Sequence, residues 1–514
     1  MVNILKRRKI DATKGPILSQ LITFAIPIAV GGFIQTLFNA ADMMVLGRFA
    51  SSIQVAAIGA TTTIINLLVN TCIGLSTGAQ VVISQTIGEK DGERIRKAVN
   101  TTVWISIILG VLVTLLSVLF SEKLLVMTNC PEECFYDSVV YMKIYFASTP
   151  AMMIYNYGAS VIRSSGDSER PLYYLIAAGA LNVVLNFILC IVLPQKVMAV
   201  AIATLASQVL GAVLVVTHLL RMEGPCRLRL KGFLPDGGML ARMMIIGIPN
   251  ALNSSLFSIS NLQIQSAINS HGPSTTAGNA AVSSIEGFIG CFNNAIGTAA
   301  LTFVGQNYGA KNTERIKETV LKSMLLATVV GIVVGNLFVL FGRPMLRLFL
   351  PEDAVAVEIG MIRIKYLMRV YFILMISGAL ANTLNAFGYS SVSMATSIIT
   401  VLGLRVVWME FVYPNFLTYE NLIICYAISW ALKCLSTGAF LLLISPKVFK
   451  KLRAAKAAAT GGETGLGAEN GATLKTEKEE AAETETEAVS EAGSDIALQT
   501  AGEVGPKTES EVVS

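Results

Sequence analysis

Histidine is almost missing from this chain of 514 residues: only His218 and His271 occur. An acid–base or zinc centre built on several imidazoles is therefore not expected. Charge is scarce too, at 14% of residues against roughly a quarter in soluble domains, while 53% are hydrophobic and mean hydropathy is +0.63. That balance excludes an ordinary soluble globular protein and points to an integral membrane one. No G-x-x-x-x-G-K-[ST] stretch is present, so nucleotide hydrolysis is not the expected energy source. Paired carboxylates are lacking within the apolar runs, which argues against a membrane-embedded transferase or hydrolase. Cysteines number eight and are scattered; Cys72, Cys190, Cys291, Cys425 and Cys434 fall in apolar runs, where they read as small hydrophobes. Cys130 and Cys134 share one loop, but a C-x3-C pair without nearby histidines is a poor zinc pattern, and a disulfide between them stays open.

Apolar length is what the chain has instead. Six runs lie at about 17–47, 54–84, 98–120, 134–158, 170–193 and 197–220, and six more at about 240–268, 277–307, 319–342, 354–380, 390–412 and 420–445. About 20 apolar residues span a bilayer, so each run is long enough or nearly so. The first run far exceeds a signal-peptide core and is read as a retained span. The fold class expected is all-α integral membrane, with twelve transmembrane helices. Pro27 in the first run and Pro249 in the seventh are candidate helix bends, because proline removes a backbone donor and crowds the preceding turn.

Charge and repetition organise the runs. Residues 457–514 hold 13 acidic residues against Lys475, Lys478 and Lys507, a net of −10, so the rest of the chain carries +15. Lysine and arginine gather in the loops on one side, from Lys6–Lys14 and Lys90–Lys97 through Arg221–Arg242 to Lys447–Lys456, which predicts cytoplasmic termini. These charges suit membrane loops and give no reason to expect nucleic acid. QTIGEKDGERIR (85–96) reads against QNYGAKNTERIK (306–317) at an offset of 221; Pro27 answers Pro249, and Gly166-Asp-Ser answers Gly388-Tyr-Ser, at 222. Six spans per copy is an even number, so the copies share one orientation and form two pseudo-symmetric six-helix lobes. The expected organisation is a basic N-terminus (1–16), an N-lobe (17–220), a linker (221–239), a C-lobe (240–445) and a disordered acidic tail (446–514), the last because so few large apolar residues cannot offset ordering entropy.

Few ionisable residues lie deep within the runs. Asp42 is the one carboxylate of the first, and a buried carboxylate in hydrocarbon usually faces protein or a water-filled cavity; the alternative is snorkelling near the helix end. Asn182 and Asn186 are four apart and share a helix face; with Asn156 and Thr204 they are candidates to meet Asp42 or a cation, or else to join helices. In the second half the deep carboxylate is Glu286, expected to pair with Arg369, Arg405 or Lys433. Lys143 and Arg363 are expected to snorkel to the far face. Tyr155, Phe288 and Phe292 are candidates to stack on an organic cation, packing being the plainer reading.

Taken together, Pro27 with Asp42-x-x-x-x-Gly47-Arg48, the twin loops Gln85-x-x-Gly88 and Gln306-Asn307-Tyr308-Gly309-Ala310, the Arg163-Ser-Ser-Gly166-Asp-Ser loop and Ile285-Glu286-Gly-Phe288 resemble the multidrug and toxic compound extrusion (MATE) transporters over residues 15–445. The resemblance implies secondary efflux of small amphipathic, cationic organic compounds by proton or sodium antiport, with two lobes alternating access and no cofactor. It implies a coupling site at Asp42, Asn182 and Asn186 with Asn156 and Thr204 nearby; the candidate substrate contacts Glu286, Tyr155, Phe288 and Phe292 come from the residues themselves. The expected partners are the substrate and the lipid bilayer, in a plasma-membrane monomer. This chain departs from the family pattern at Asn186, where aspartate is usual, which favours proton exchange at Asp42 over sodium. The rival implied within the same superfamily is a lipid-linked precursor flippase with a more basic cavity.

Overall fold

The computed structural model describes residues 9–461 apart from 129, 230 and 232, and no strand occurs among them. The N-lobe helices are α1 (Ile17–Phe49), α2 (Ser52–Glu89), α3 (Gly92–Met127), α4 (Glu132–Ala147), α5 (Thr149–Ser164), α6 (Glu169–Val192) and α7 (Lys196–Arg221). The C-lobe follows with α8 (Gly237–Asn269), α9 (Pro273–Gly309), α10 (Thr313–Phe349), α11 (Ala354–Phe387), α12 (Ser390–Ser397), α13 (Leu404–Val407) and α14 (Tyr419–Gly461). Eleven stretches are long and apolar enough to cross a bilayer, one of them the composite 390–415 that contains α12 and α13. The twelfth span is split into α4 and α5 at Ser148, because Pro150 sits in the first turn of α5 and cannot continue the preceding helix. Twelve spans in two lobes result, as expected from sequence. Several exceed what a bilayer needs: α2, with 38 residues, is about 57 Å long and must project beyond the hydrocarbon.

One boundary differs from expectation. Helix α14 runs to Gly461, well past 445 and through Pro446, because 447–458 are rich in lysine and alanine, both good helix formers. The acidic remainder of the expected tail lies outside the described residues.

The repeats share backbone features as well as letters. Lys90 and Lys311 follow the twin motifs in the left-handed region at φ 60° and 53°, and Gly166 and Gly388 follow theirs at 88° and 92°. Both prolines lie inside unbroken helices. Pro249 leaves the carbonyl of Ile245 without its helical donor, and the Ser390 hydroxyl supplies one at 3.4 Å.

Helix direction defines two ends. α1 begins at the near end and α2 returns to it. Near that end a single apolar core draws from both lobes, joining Val82, Ile83, Val161 and Val215 to Leu301, Val304, Leu380 and Leu384. Toward the far end each lobe keeps its own core, around Leu46, Met142 and Val200 in one and Ile264, Ile364 and Ile423 in the other. The lobes are therefore closed on each other at the near end.

Polar contacts lock that closure, and they obey the pseudo-symmetry. Gln85 Nε2 donates to the Ala386 carbonyl at 2.7 Å, and Gln306 Nε2 donates to the Ser164 carbonyl at 2.7 Å. Each bond crosses from one lobe to the other, and each is the repeat image of its partner. A Cβ on Gly88 would collide with the Gln306 carbonyl, and one on Gly309 with the Gln85 carbonyl, so only glycine permits this approach. Gln80 Nε2 adds a bond to Thr302 Oγ1 at 2.9 Å. The segment before α1 is stitched over the seam: Ala12 N–H donates to Gln306 Oε1 at 3.0 Å, its carbonyl accepts from Asn307 and Arg315 at 3.0 Å each, and Ile10 N–H donates to the Gly166 carbonyl at 3.1 Å.

Candidate functional site

The far half of the N-lobe encloses a cavity of about 340 Å³ between α1, α2 and α4–α7. Its wall mixes polar side chains and tyrosines with aliphatic residues such as Leu46, Ile58, Ile65 and Val200. Asp42 enters it from α1, Asn182 from α6 and Thr204 from α7, while Asn186 lies fully buried behind. Asn186 Nδ2 donates to Asp42 Oδ1 at 2.6 Å. With its amide turned so that nitrogen faces the carboxylate, Asn182 donates to the same oxygen at 2.7 Å. The i, i+4 spacing on α6 thus delivers two amide donors to one acid from another helix. Asn186 Oδ1 is buried with no hydrogen-bond partner, and Thr204 Oγ1 donates only to its own helix, at the Val200 carbonyl, 3.0 Å away. Among the described residues no cation pairs with Asp42, and no three His, Cys, Asp or Glu side chains gather as metal ligands.

Other residues expected from sequence are placed as follows. Tyr155 lines the cavity, its hydroxyl donating to the Pro171 carbonyl at 3.0 Å. Asn156 does not line it: its amide is spent on the Met152 carbonyl one turn back. Phe288 and Phe292 lie on α9 and meet Phe33 of α1, with ring centres 5.9 and 5.0 Å apart, so they sit at the seam between lobes. Lys143 reaches the outer surface and pairs with Glu122 at 2.8 Å.

Glu286 and Arg363 require correction. The expected partners of Glu286 were Arg369, Arg405 or Lys433, and Arg363 was expected to snorkel. Instead Arg363, 4% exposed, turns inward and clamps Glu286 with two bonds, Nε–Oε1 at 2.9 Å and Nη2–Oε2 at 2.6 Å. A guanidinium fork matches a carboxylate bidentately, which an amine such as Lys433 cannot do. Arg363 also bonds Asn279. Arg369 is exposed. The charge of Glu286 is thus matched within the C-lobe by Arg363. Cys130 and Cys134 are free thiols with sulfurs 3.8 Å apart.

Sequence reasoning missed much of the cavity wall. Gln35 and Asn39 line it together with Asp42, as do Thr62 with Asn66 and Thr204 with Gln208. The signal was present: positions 35, 39 and 42 step 0, 4, 7 along one face of α1.

The MatE family model matches twice, over residues 27–188 and 249–409, one match in each lobe. The chain belongs to the MatE family. As a MATE transporter it shares 26% identity over 348 residues with "Probable multidrug resistance protein YoeA" of Bacillus subtilis, covering 66% of this chain and 75% of that one. It shares 24% identity over 396 residues with "Probable multidrug resistance protein NorM" of Thermotoga maritima, covering 76% and 84%. A solved structure described as the outward-facing conformation of a multidrug resistance MATE family transporter superposes with a TM-score of 0.78 at 21% identity, covering 87% of this chain and 99% of the other. The two-lobe fold of this MATE chain is therefore that of its solved neighbours.

Proposed function

We propose that this MATE transporter exports small amphipathic organic compounds across the plasma membrane in exchange for protons or sodium ions, with Asp42 as the coupling carboxylate. The observation that carries this reading is a single uncompensated carboxylate, held by two amides in an N-lobe cavity, in a molecule closed at its near end. The basic loops make that near end cytoplasmic, with both termini there, so the described state faces outward. A proton or cation reaching Asp42 from outside removes the charge the cavity must solvate, and this favours closure of the far side. Opening of the near side then follows from breaking the reciprocal Gln85 and Gln306 bonds. Each chain carries both lobes, so a monomer is a complete transport unit.

Relatives bearing multidrug resistance names support export over lipid-precursor flipping, and no lysine or arginine lines the N-lobe cavity as a pyrophosphate headgroup would require. The cationic character of the substrate follows from the family resemblance and draws no support from Glu286, whose charge Arg363 already matches. Proteoliposomes loaded with a fluorescent amphiphile, under separate proton and sodium gradients, test the proposal. Gradient-driven movement with one ion supports it and identifies that ion; movement indifferent to both gradients overturns it.

A further inference from the structure

Charge inside the C-lobe does not balance. Glu286 and Arg363 neutralise each other, and Asn279 completes that group by accepting from Tyr419 at 3.3 Å. Two more cations are buried nearby, Arg405 at 1% exposure and Lys433 at 6%. No described carboxylate pairs with either. Arg405 Nη1 bonds Ser260 Oγ at 3.1 Å and Asn261 Oδ1 at 2.7 Å, and its guanidinium lies 4.4 Å from the Tyr426 ring centre, but its Nε has no partner. Lys433 Nζ lies 4.5 Å from the ring centre of half-buried Phe257 and makes no hydrogen bond with a described residue. Arg405 lies 6.0 Å from the same ring centre. Ring faces compensate a buried cation only in part, and an unpaired charge within a membrane protein calls for a counter-ion.

The backbone is built to aim one of these cations inward. Arg405 sits on the four-residue α13, between π-helical segments Ile398–Gly403 and Trp408–Val412. Such segments shift the angular phase of a helix and recur at functional sites. Here Arg405 is enclosed while Val406 and Val407 are 37% and 51% exposed.

The repeat supplies an independent pointer. At the offset of 222 that relates Pro27 to Pro249, Phe257, Asn261 and Arg363 answer Gln35, Asn39 and Tyr141. All three N-lobe counterparts line the Asp42 cavity. The same place in the fold is acidic in one lobe and basic in the other.

We propose that the C-lobe holds a binding site for an oxyanion, a carboxylate or phosphate, ligated by Lys433 Nζ and Arg405 Nε. This goes beyond the Asp42 reading and does not depend on it. The oxyanion belongs to an amphiphile, either a transported compound or a bilayer lipid. A compound bearing both charges could bridge the two lobes.

Calorimetry on the purified protein in uncharged detergent tests this, with dodecyl phosphate against dodecyltrimethylammonium. Dodecyl phosphate should bind saturably and raise the thermal midpoint of the wild-type protein, and any effect of the cation should be indifferent to Lys433→Gln. Lys433→Gln and Arg405→Gln should each weaken phosphate binding by about tenfold or more, and Lys433→Arg by far less. In nanodiscs, competition by phosphatidylglycerol assigns the site to a lipid headgroup, and its absence assigns it to a soluble amphiphile. Absence of saturable dodecyl phosphate binding by the wild-type protein overturns the site whether or not the variants fold. Unchanged affinity in folded Lys433→Gln overturns it as well.

Discussion

Replacing Gln306 by alanine should open the near-end seam while leaving each lobe folded. Gln306 is 2% exposed and makes two bonds that join parts of the closure, donating to the Ser164 carbonyl and accepting from the Ala12 N–H. Truncation strands both partners in the closed state. A buried group left without a partner costs about 1–3 kcal/mol, so the closed state loses about 2–6 kcal/mol relative to one in which water reaches those groups. Even the lower figure shifts the equilibrium about thirtyfold toward opening. Amide hydrogen exchange on protein in nanodiscs reads this segment by segment. Residues 10–16, 84–91 and 304–311 should exchange at least about ten times faster than in wild type, while 52–60 at the far end should not change. Gln306→Glu should behave like alanine toward Ser164, because a carboxylate cannot donate. Unchanged exchange at the seam would refute the reasoning, and equal acceleration everywhere would show loss of the fold instead.

Two further outcomes follow from the same contacts. Gly88→Ala and Gly309→Ala should each block closure by placing a methyl against a carbonyl of the opposite lobe, giving protein that purifies folded but transports poorly; wild-type transport rates in either variant would contradict this. Glu286→Gln should lower stability by about 3–5 kcal/mol by leaving Arg363 buried without its carboxylate, and Arg363→Met in the same chain should recover part of the loss. Thermal unfolding in detergent measures both, and a variant as stable as wild type would show that the pair is not a structural clamp.

Much of this architecture could be read from the letters. Apolar length gave the spans, and the twin Gln-x-x-Gly loops gave the duplication, because both copies must place glycine where backbones meet. The meeting of Asp42 with Asn182 and Asn186 was readable too, since only a few polar residues within the spans could solvate an acid. Facing direction was not. Nothing in the string distinguishes Arg363 clamping Glu286 from Arg363 reaching for headgroups, because helix rotation is decided by neighbours from distant parts of the chain. Arg405 is hidden for a different reason: its inward aim depends on π-helical turns that break the 3.6-residue period on which sequence reading relies. The end of α14 was misplaced because the change from apolar to charged residues at 446 marks the membrane boundary, and helix propensity continues beyond it.

Asp42 carries the central claim, and transport by the Asp42→Asn protein in proteoliposomes tests it most directly. This variant should fold, equilibrate substrate down its own gradient at most, and give no accumulation under an imposed proton or sodium gradient. Accumulation at the wild-type level would contradict the claim.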